Sequence, residues 1–498
     1  MRKGSEDRSC MCIQKRNASL FISRERVMQM KYNTVTKELL QELRHVVGDK
    51  YVKTDPSVLD IYKSDESLAP SYWVMPEAVV LPADARETAE IVKLANRYKV
   101  PLTPRGAGTS VSCGAVPAQG GIVVLTERMN HILECSEEGM YMVVEAGVRT
   151  ADIQALAQSK GLMYAGDPCS ADSCLIGGNL ATNAGGNKAV RYGTTRNQVY
   201  SVEVVLPNGK IATFGSTLKK CSTGFCLDQL IIGSEGTLGI ITKATLKLVP
   251  LSPFHVDVLA VFTKLSDAAE AVPKIVKAGI NPTSVEFMDV SFVRSACEYC
   301  KLDLPHKEDG YYDIITIEAF NEAELDEKTE KLMKICEECH ATDVVEADDR
   351  VWSVRRNCLE STRTYSKVGT SEDLVVPVTK IADCIKTLME ESRKYDFRPF
   401  CLAHAGDGNI HFQILKCDMS DEDWEKQLEQ FRAVAYPYVY SLGGRLSGEH
   451  GIGLKRLKYM EKYTDPVELE FMKTIKQAVD PNWIMNPGKV IEPLNQHD

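Results

Sequence analysis

The feature that most narrows the choice of fold is the run Leu402-Ala403-His404-Ala405-Gly406-Asp407-Gly408-Asn409-Ile410-His411. Asp407-Gly408 at its centre is a strong signal for a two-residue hairpin turn, because both central positions of such a turn take positive φ. Folding the chain there pairs Gly406 with Asn409, Ala405 with Ile410 and His404 with His411. The two imidazoles then stand on one face with Cβ atoms about 5 Å apart, a separation that suits convergence on one metal ion. Further on comes Ser447-Gly448-Glu449-His450-Gly451-Ile452-Gly453, a carboxylate and an imidazole side by side in a glycine-rich loop. Three ligands (His404, His411, Glu449) and an open position make up a catalytic metal site, with His450 left to move a proton. Neighbouring side chains point different ways along an extended chain, so the sequence alone also allows His450 as ligand and Glu449 as base. Taken singly, His-x6-His also fits a hairpin with two ordinary surface histidines. The second Glu-His pair is what favours a site.

The 498 residues are too many for one core, so two or three domains are expected. A net charge of −10, with no block of Lys or Arg, makes nucleic acid and anionic membrane poor partners. No apolar run approaches the length that crosses a bilayer. Residues 1–30 have no apolar core of a secretory signal and are expected to be a disordered extension, of the kind read from an upstream start. Sixteen cysteines in a chain without such a signal imply reduced thiols and a cytoplasmic location. Cys297-x2-Cys300 and Cys336-x2-Cys339 fall in stretches with helical periodicity, where that spacing only puts two residues on one face. The dense cysteine run of a ferredoxin is missing, so electrons leaving this chain would leave for another protein.

In chain order, helices are expected at 35–49 and 86–98 and strands at 72–81 and 100–104. The second strand runs into Pro104-Arg105-Gly106-Ala107-Gly108-Thr109-Ser110, with Gly114 just beyond. That loop exposes backbone N–H groups suited to a pyrophosphate, but it lacks the third glycine and following helix of the nicotinamide fingerprint. Strands at 121–125 and 141–146 and a helix at 151–160 precede Asp167-Pro168. Residues 176–187 then read as a second glycine-rich loop. A hairpin spans 202–214, and 231–241 reads as strand, turn and strand.

Pro-Arg-Gly-Ala-Gly-Thr-Ser (104–110), Ile-Gly-Gly-Asn (176–179), Asn-Ala-Gly-Gly (183–186) and Gly-Ser-Glu-Gly-Thr-Leu-Gly-Ile (233–240) resemble the FAD domain of the vanillyl-alcohol oxidase/p-cresol methylhydroxylase flavoproteins. The 402–411 run, Gly-Glu-His-Gly-Ile-Gly (448–453) and Asn486-Pro487-Gly488-Lys489 narrow the resemblance. They point to the branch of bacterial D-lactate dehydrogenases, the glycolate oxidase FAD subunit and D-2-hydroxyglutarate dehydrogenase. The resemblance spans about residues 40–494. It implies an α+β fold: a two-part, PCMH-type FAD-binding domain with the pyrophosphate between two small sheets, an inserted substrate domain and a helical C-terminal segment. By resemblance, Pro104, Arg105, Gly106, Ala107, Gly108, Thr109, Ser110 and Gly114 hold the phosphates. Asp167, Pro168, Gly177, Gly178, Asn179, Thr182, Asn183 and Gly185 follow the rest of the cofactor, Ile240 or Ile241 meets the adenine end, and Asn486 returns to the flavin. Thr109-Ser110 stand where some members carry a flavin-bonded histidine, which implies non-covalent FAD.

The β-α-β order of residues 255–347 suggests a ferredoxin-like domain. The expected divisions are 1–30, 31–251 for FAD binding, 252–445 for substrate and 446–498 returning to the active site. A helix at 350–360 carries Arg355, which by resemblance clamps a substrate carboxylate through its planar fork. Leu359 and Ser371 stand where D-2-hydroxyglutarate dehydrogenase has a Thr and a Lys for a second carboxylate, so a small monocarboxylate is expected. The resemblance gives the third ligand position to Glu449. The implied enzyme is a metal-assisted FAD dehydrogenase of D-lactate or glycolate, with one divalent Zn, Mn or Fe ion. His450 is its base, Asn409 shares the metal face, and an electron-transferring flavoprotein or iron–sulfur subunit accepts electrons. A homodimer or hetero-oligomer is compatible with that role. The alternatives are a transferase like alkyl-dihydroxyacetonephosphate synthase and a non-catalytic flavin subunit.

Overall fold

Strand pairing in the computed structural model, which describes residues 32–67 and 70–493, produces three main sheets and a two-stranded ribbon. The first sheet runs Val52–Lys53, Ala78–Val80, Ile122–Leu125, Leu102–Arg105, with the last three strands parallel. Its crossover helix, Ala85–Tyr98, starts where Asp84 accepts from the N–H groups of Arg86 and Glu87, and it ends at Lys99 in the left-handed region. Ile91, Val92 and Ala95 of that helix pack on Val80 and Val124. The second sheet is antiparallel: Ile132–Ser136, Tyr141–Glu145, Ile240–Lys247, Val199–Val205, Ile211–Gly215.

The third sheet has seven antiparallel strands in the order Asp343–Glu346, Phe254–Phe262, Tyr311–Ala319, Ser284–Met288, Arg398–His404, Asn409–Leu415, Gly369–Val375. The first four strands have the ferredoxin-like order 4-1-3-2, and the last three extend it on one side. The expected α+β class, with two small sheets and an inserted ferredoxin-like unit, is therefore what the chain forms. The tail returns to the first unit: Met485 bridges Leu102, and Lys489 Nζ donates to the Val116 carbonyl at 2.7 Å. The expected extension over 1–30 lies outside the described residues.

Two expected loop or strand segments are helical. Ile176–Thr182 forms a helix despite two glycines, because a side chain at Gly177 would press on Ala146 (2.8 Å to Cβ, 2.9 Å to the carbonyl oxygen). Close packing overrides glycine's low helix propensity here. The helix Leu227–Ile231 likewise ends where the first strand of 231–241 is expected to start.

Asp313 is buried in the third sheet with neither carboxylate oxygen hydrogen-bonded, and burial raises its carboxyl well above the usual range. Asp313→Val, which keeps the strand and removes the unsatisfied group, is expected to stabilise the protein by ~1–3 kcal/mol. A group whose pKa is raised by folding contributes stability below its unfolded pKa and loses it as pH rises through the folded one. The gain over wild type in chemical denaturation should thus widen from acid toward neutral pH.

Candidate active site

The loop Ala405-Gly406-Asp407-Gly408 is two residues longer than the turn expected from Asp407-Gly408. His404 pairs with Asn409, and His411 pairs with Leu402. Only Gly408 takes positive φ (90°), and a side chain there would overlap the Val376 carbonyl. Asp407 instead accepts from the Asn409 N–H at 3.1 Å, and the Ala405 N–H is drawn to the Val285 carbonyl at 2.8 Å. A register shift of two preserves the face of every side chain, so the imidazoles still converge, with ring centroids 5.2 Å apart.

Glu449 meets them from the 447–453 loop. Its Oε1 lies 3.1 Å from His411 Nε2 and 3.5 Å from His404 Nε2. Ligands about 2.0–2.1 Å from a tetrahedral ion are about 3.3 Å from one another, so this spacing fits a divalent ion. His404 Nε2 is buried and makes no hydrogen bond. Its Nδ1–H donates to Glu286 Oε1 at 2.7 Å, which aims Nε2 into the site. Burial disfavours charge on His404, but Glu286 and then Glu449 hold its imidazole well above the ordinary value. A cation at Nε2 is what this pocket favours. Burial would raise the Glu449 carboxyl, yet the two histidines hold it well below the usual range.

His450 stacks on His411, with centroids 5.1 Å and planes 21° apart. Burial pushes its imidazole down to about 4, so it is neutral at physiological pH. Asn409 Oδ1 is buried without a donor, and its Nδ2 donates to Asp373 Oδ1 at 2.7 Å. Arg355 is placed differently from expectation: Nε and Nη2 both donate to Glu286 Oε2, at 3.1 and 2.5 Å. Its fork braces the partner of His404, which leaves Nη1 and the outer Nη2 N–H for anything else.

Three carboxylates escaped sequence reasoning. Glu286 stands in the strand Ser284–Met288 with the backbone register of His404. Burial would raise it, but His404 and Arg355 hold it below the usual range. Asp373 lies in the strand Gly369–Val375 and Glu235 in the 233–240 turn. Acidic residues are depleted in strands, so Glu286 and the Glu372-Asp373 pair carried a readable signal; Glu235 carried none.

The glycine-rich segments meet between the first two sheets. A side chain on Gly106 would lie 3.5 Å from Leu175 Cβ and 3.9 Å from the Gly178 nitrogen, whereas one on Gly178 would face open space. Asn179, Thr182 and Asn183 are engaged internally, with Thr150, the Gly178 carbonyl, and Thr194 with the Arg196 N–H respectively. Ser110 Oγ accepts from the N–H groups of Ser112 and Gly114. Arg105 turns away: Nη1 donates to the Ser64 carbonyl at 2.6 Å, and a side chain on Gly108 would overlap its guanidinium. Pro104 packs beneath Gly236, Ala107 is exposed, Thr109 is half-buried, and Asp167 accepts from Gln154 beside half-buried Pro168. Ile240 and Ile241 are interior residues of two different cores. Asn486 Nδ2 donates to the Glu235 carbonyl, while its Oδ1 and that of Asn187 are buried acceptors without donors. Open space beside Gly178 and these free acceptors fit a large polar cofactor. The cradle adjoins the histidines: a side chain on Gly185 would lie 2.5 Å from Glu449 Oε2.

Residues 76–215 match the model of an FAD binding domain, and residues 253–490 match that of the C-terminal domain of FAD linked oxidases. The chain is 34% identical to a D-lactate dehydrogenase of Anaerostipes hadrus over 94% of its own length and 100% of the relative's. It is 35% identical to glycolate oxidase subunit GlcD of Bacillus subtilis (92% and 97%). A D-2-hydroxyglutarate dehydrogenase of Stutzerimonas stutzeri is 33% identical (91% and 98%). Among solved structures, substrate-bound p-cresol methylhydroxylase superposes with a TM-score of 0.76 at 17% identity, over 91% of this chain and 96% of that one, which is a likeness of fold.

Proposed function

The chain belongs to the FAD-linked oxidases, and from that premise we propose that it oxidises a small 2-hydroxy monocarboxylate, D-lactate first and glycolate next, to the 2-oxo acid. The observation that carries this reading is the convergence of His404, His411 and Glu449, with neutral His450 beside them, against the wall at Gly185. When bound, FAD supplies a hydride acceptor and a divalent ion (zinc, manganese or iron) supplies a Lewis acid. His404, His411 and Glu449 are the residues that would hold the ion. Pro104 to Ser110, Gly114, Gly178, Gly185 and Asn486 would border FAD, held without a covalent bond.

His450 takes the substrate hydroxyl proton as general base. Asn409 faces the same space with its free Oδ1. Arg355 keeps Glu286, and through it His404, in place and offers Nη1 to the substrate carboxylate. Neither Leu359, half exposed on Cys358–Thr362, nor Ser371 supplies a cation for a second carboxylate. Electrons then pass to a protein acceptor in the cytoplasm, an electron-transferring flavoprotein or an iron–sulfur subunit. Among the described residues no helix is long and apolar enough to cross a membrane. A synthase-like transferase is disfavoured because none of the nine histidines are adjacent, and a passive flavin subunit has no need of the histidine–carboxylate set.

Stopped-flow bleaching of the bound flavin with D- and L-lactate, glycolate, D-malate and D-2-hydroxyglutarate tests the reading. D-lactate is expected to bleach fastest. Bleaching by none of the five in FAD-replete protein would overturn the function, and preference for D-2-hydroxyglutarate would overturn the substrate class.

A further inference from the structure

Asp373 is fully buried, and with His411 and His450 it forms a second group whose ligand atoms lie within 4.8 Å of one another, beside the group of His404, His411 and Glu449. Its Oδ2 accepts three hydrogen bonds from one loop: Ser447 Oγ at 2.6 Å, the Glu449 N–H at 3.1 Å and the His450 N–H at 2.8 Å. Its Oδ1 accepts from Asn409 Nδ2 at 2.7 Å. The same carboxylate stands 3.8 Å from His411 Nδ1 and 3.7 Å from His450 Nδ1. Burial opposes its charge, but His450, His411 and Arg456 hold its carboxyl well below the usual range. One anion thus touches or faces His411, the Glu449 and His450 backbone, and Asn409.

Nothing else supplies these contacts. Gly448 leaves no side chain between the loop and Asn409, since a Cβ there would overlap the Asn409 amide. The Glu449 and His450 N–H groups are successive donors turned to a single acceptor, an arrangement that fixes the direction in which both side chains leave the backbone. The end strand of the sheet, Gly369–Val375, is therefore one anchor of the loop's position.

We infer that Asp373 is a positioning residue, which sets Glu449 and His450 against the two histidines by anchoring their backbone. The inference rests on the proposed use of those residues. Partners one shell removed from a metal typically change affinity or rate by about 10–100-fold when replaced. Asp373→Asn keeps the shape but turns an NH2 group toward donors or leaves them one acceptor short.

The test uses FAD-replete wild-type and Asp373→Asn enzyme, with kcat, KM, melting temperature, FAD content and the dissociation constant for Zn2+ measured on the same preparations. The expected result is unchanged FAD content, a kcat lower by about 10–100-fold with KM moved less than about threefold, and Zn2+ bound about 10–100-fold more weakly. Millimolar Zn2+ should restore part of the rate, which a purely structural lesion would not allow. Wild-type kcat and Zn2+ affinity in Asp373→Asn would overturn the inference. If that variant does not fold, Ser447→Ala decides: it removes one donor to the same oxygen, and a several-fold loss of kcat is expected, whereas wild-type values would overturn the inference. A wild-type enzyme that is active and binds none of Zn2+, Mn2+ and Fe2+ defeats the metal reading instead, and the kcat of the variant still judges Asp373.

Discussion

His450→Asn is expected to slow substrate reduction of the bound flavin by ~10²–10⁴-fold while FAD content and metal content stay at wild-type levels. The imidazole is buried, neutral and stacked on His411, so under the proposed roles its loss removes the proton acceptor and leaves His404, His411 and Glu449 in place. Rapid-mixing traces should keep their amplitude and their dependence on substrate concentration and fall only in rate. The pH profile of wild-type reduction should fall on the acid side, as His450 gains a proton, and the variant should lack that limb. Release of the ion from His450→Asn would make His450 a ligand and Glu449 the base.

His404→Ala should abolish both ion binding and activity while the protein stays yellow. This is the larger lesion, because it removes a ligand and strands Glu286, which His404 and Arg355 now share. Elemental analysis should give about one divalent ion per wild-type chain and none in the variant. Ion binding must displace the proton that Glu286 and Glu449 favour on His404. Affinity is therefore expected to rise with pH until His404 is neutral without help. A wild type that is active without any ion would end the assignment.

What could be read from the chain, and what could not, divides by range. His404 and His411 were legible because six residues separate them on one hairpin, and an error of two in register costs nothing when side-chain parity is kept. The 4-1-3-2 strands were legible because each helix and strand announces its own period. The helix Ile176–Thr182 was not, since Gly177 serves contact with Ala146, about thirty residues away along the chain. Arg355 was placed on the correct helix but given an open fork. Its closure on Glu286 joins two strands and a helix that no local pattern links. Asp373 and Glu235 share that blindness, for their partners are backbone N–H groups in a loop far down the chain.

Those two carboxylates have a further consequence. Asp373 belongs to the seven-stranded sheet and takes the Glu449 and His450 N–H groups, while Glu235, in the 233–240 turn, takes those of Ile452 and Gly453, at 2.7 and 2.8 Å. Four residues in a run of five are thus tethered to two different parts of the fold, and Ser112 adds a third tether by donating to the His450 carbonyl. A motion that parted the seven-stranded sheet from the 233–240 turn would have to break one set of these hydrogen bonds or stretch the loop that carries Glu449 and His450 between them.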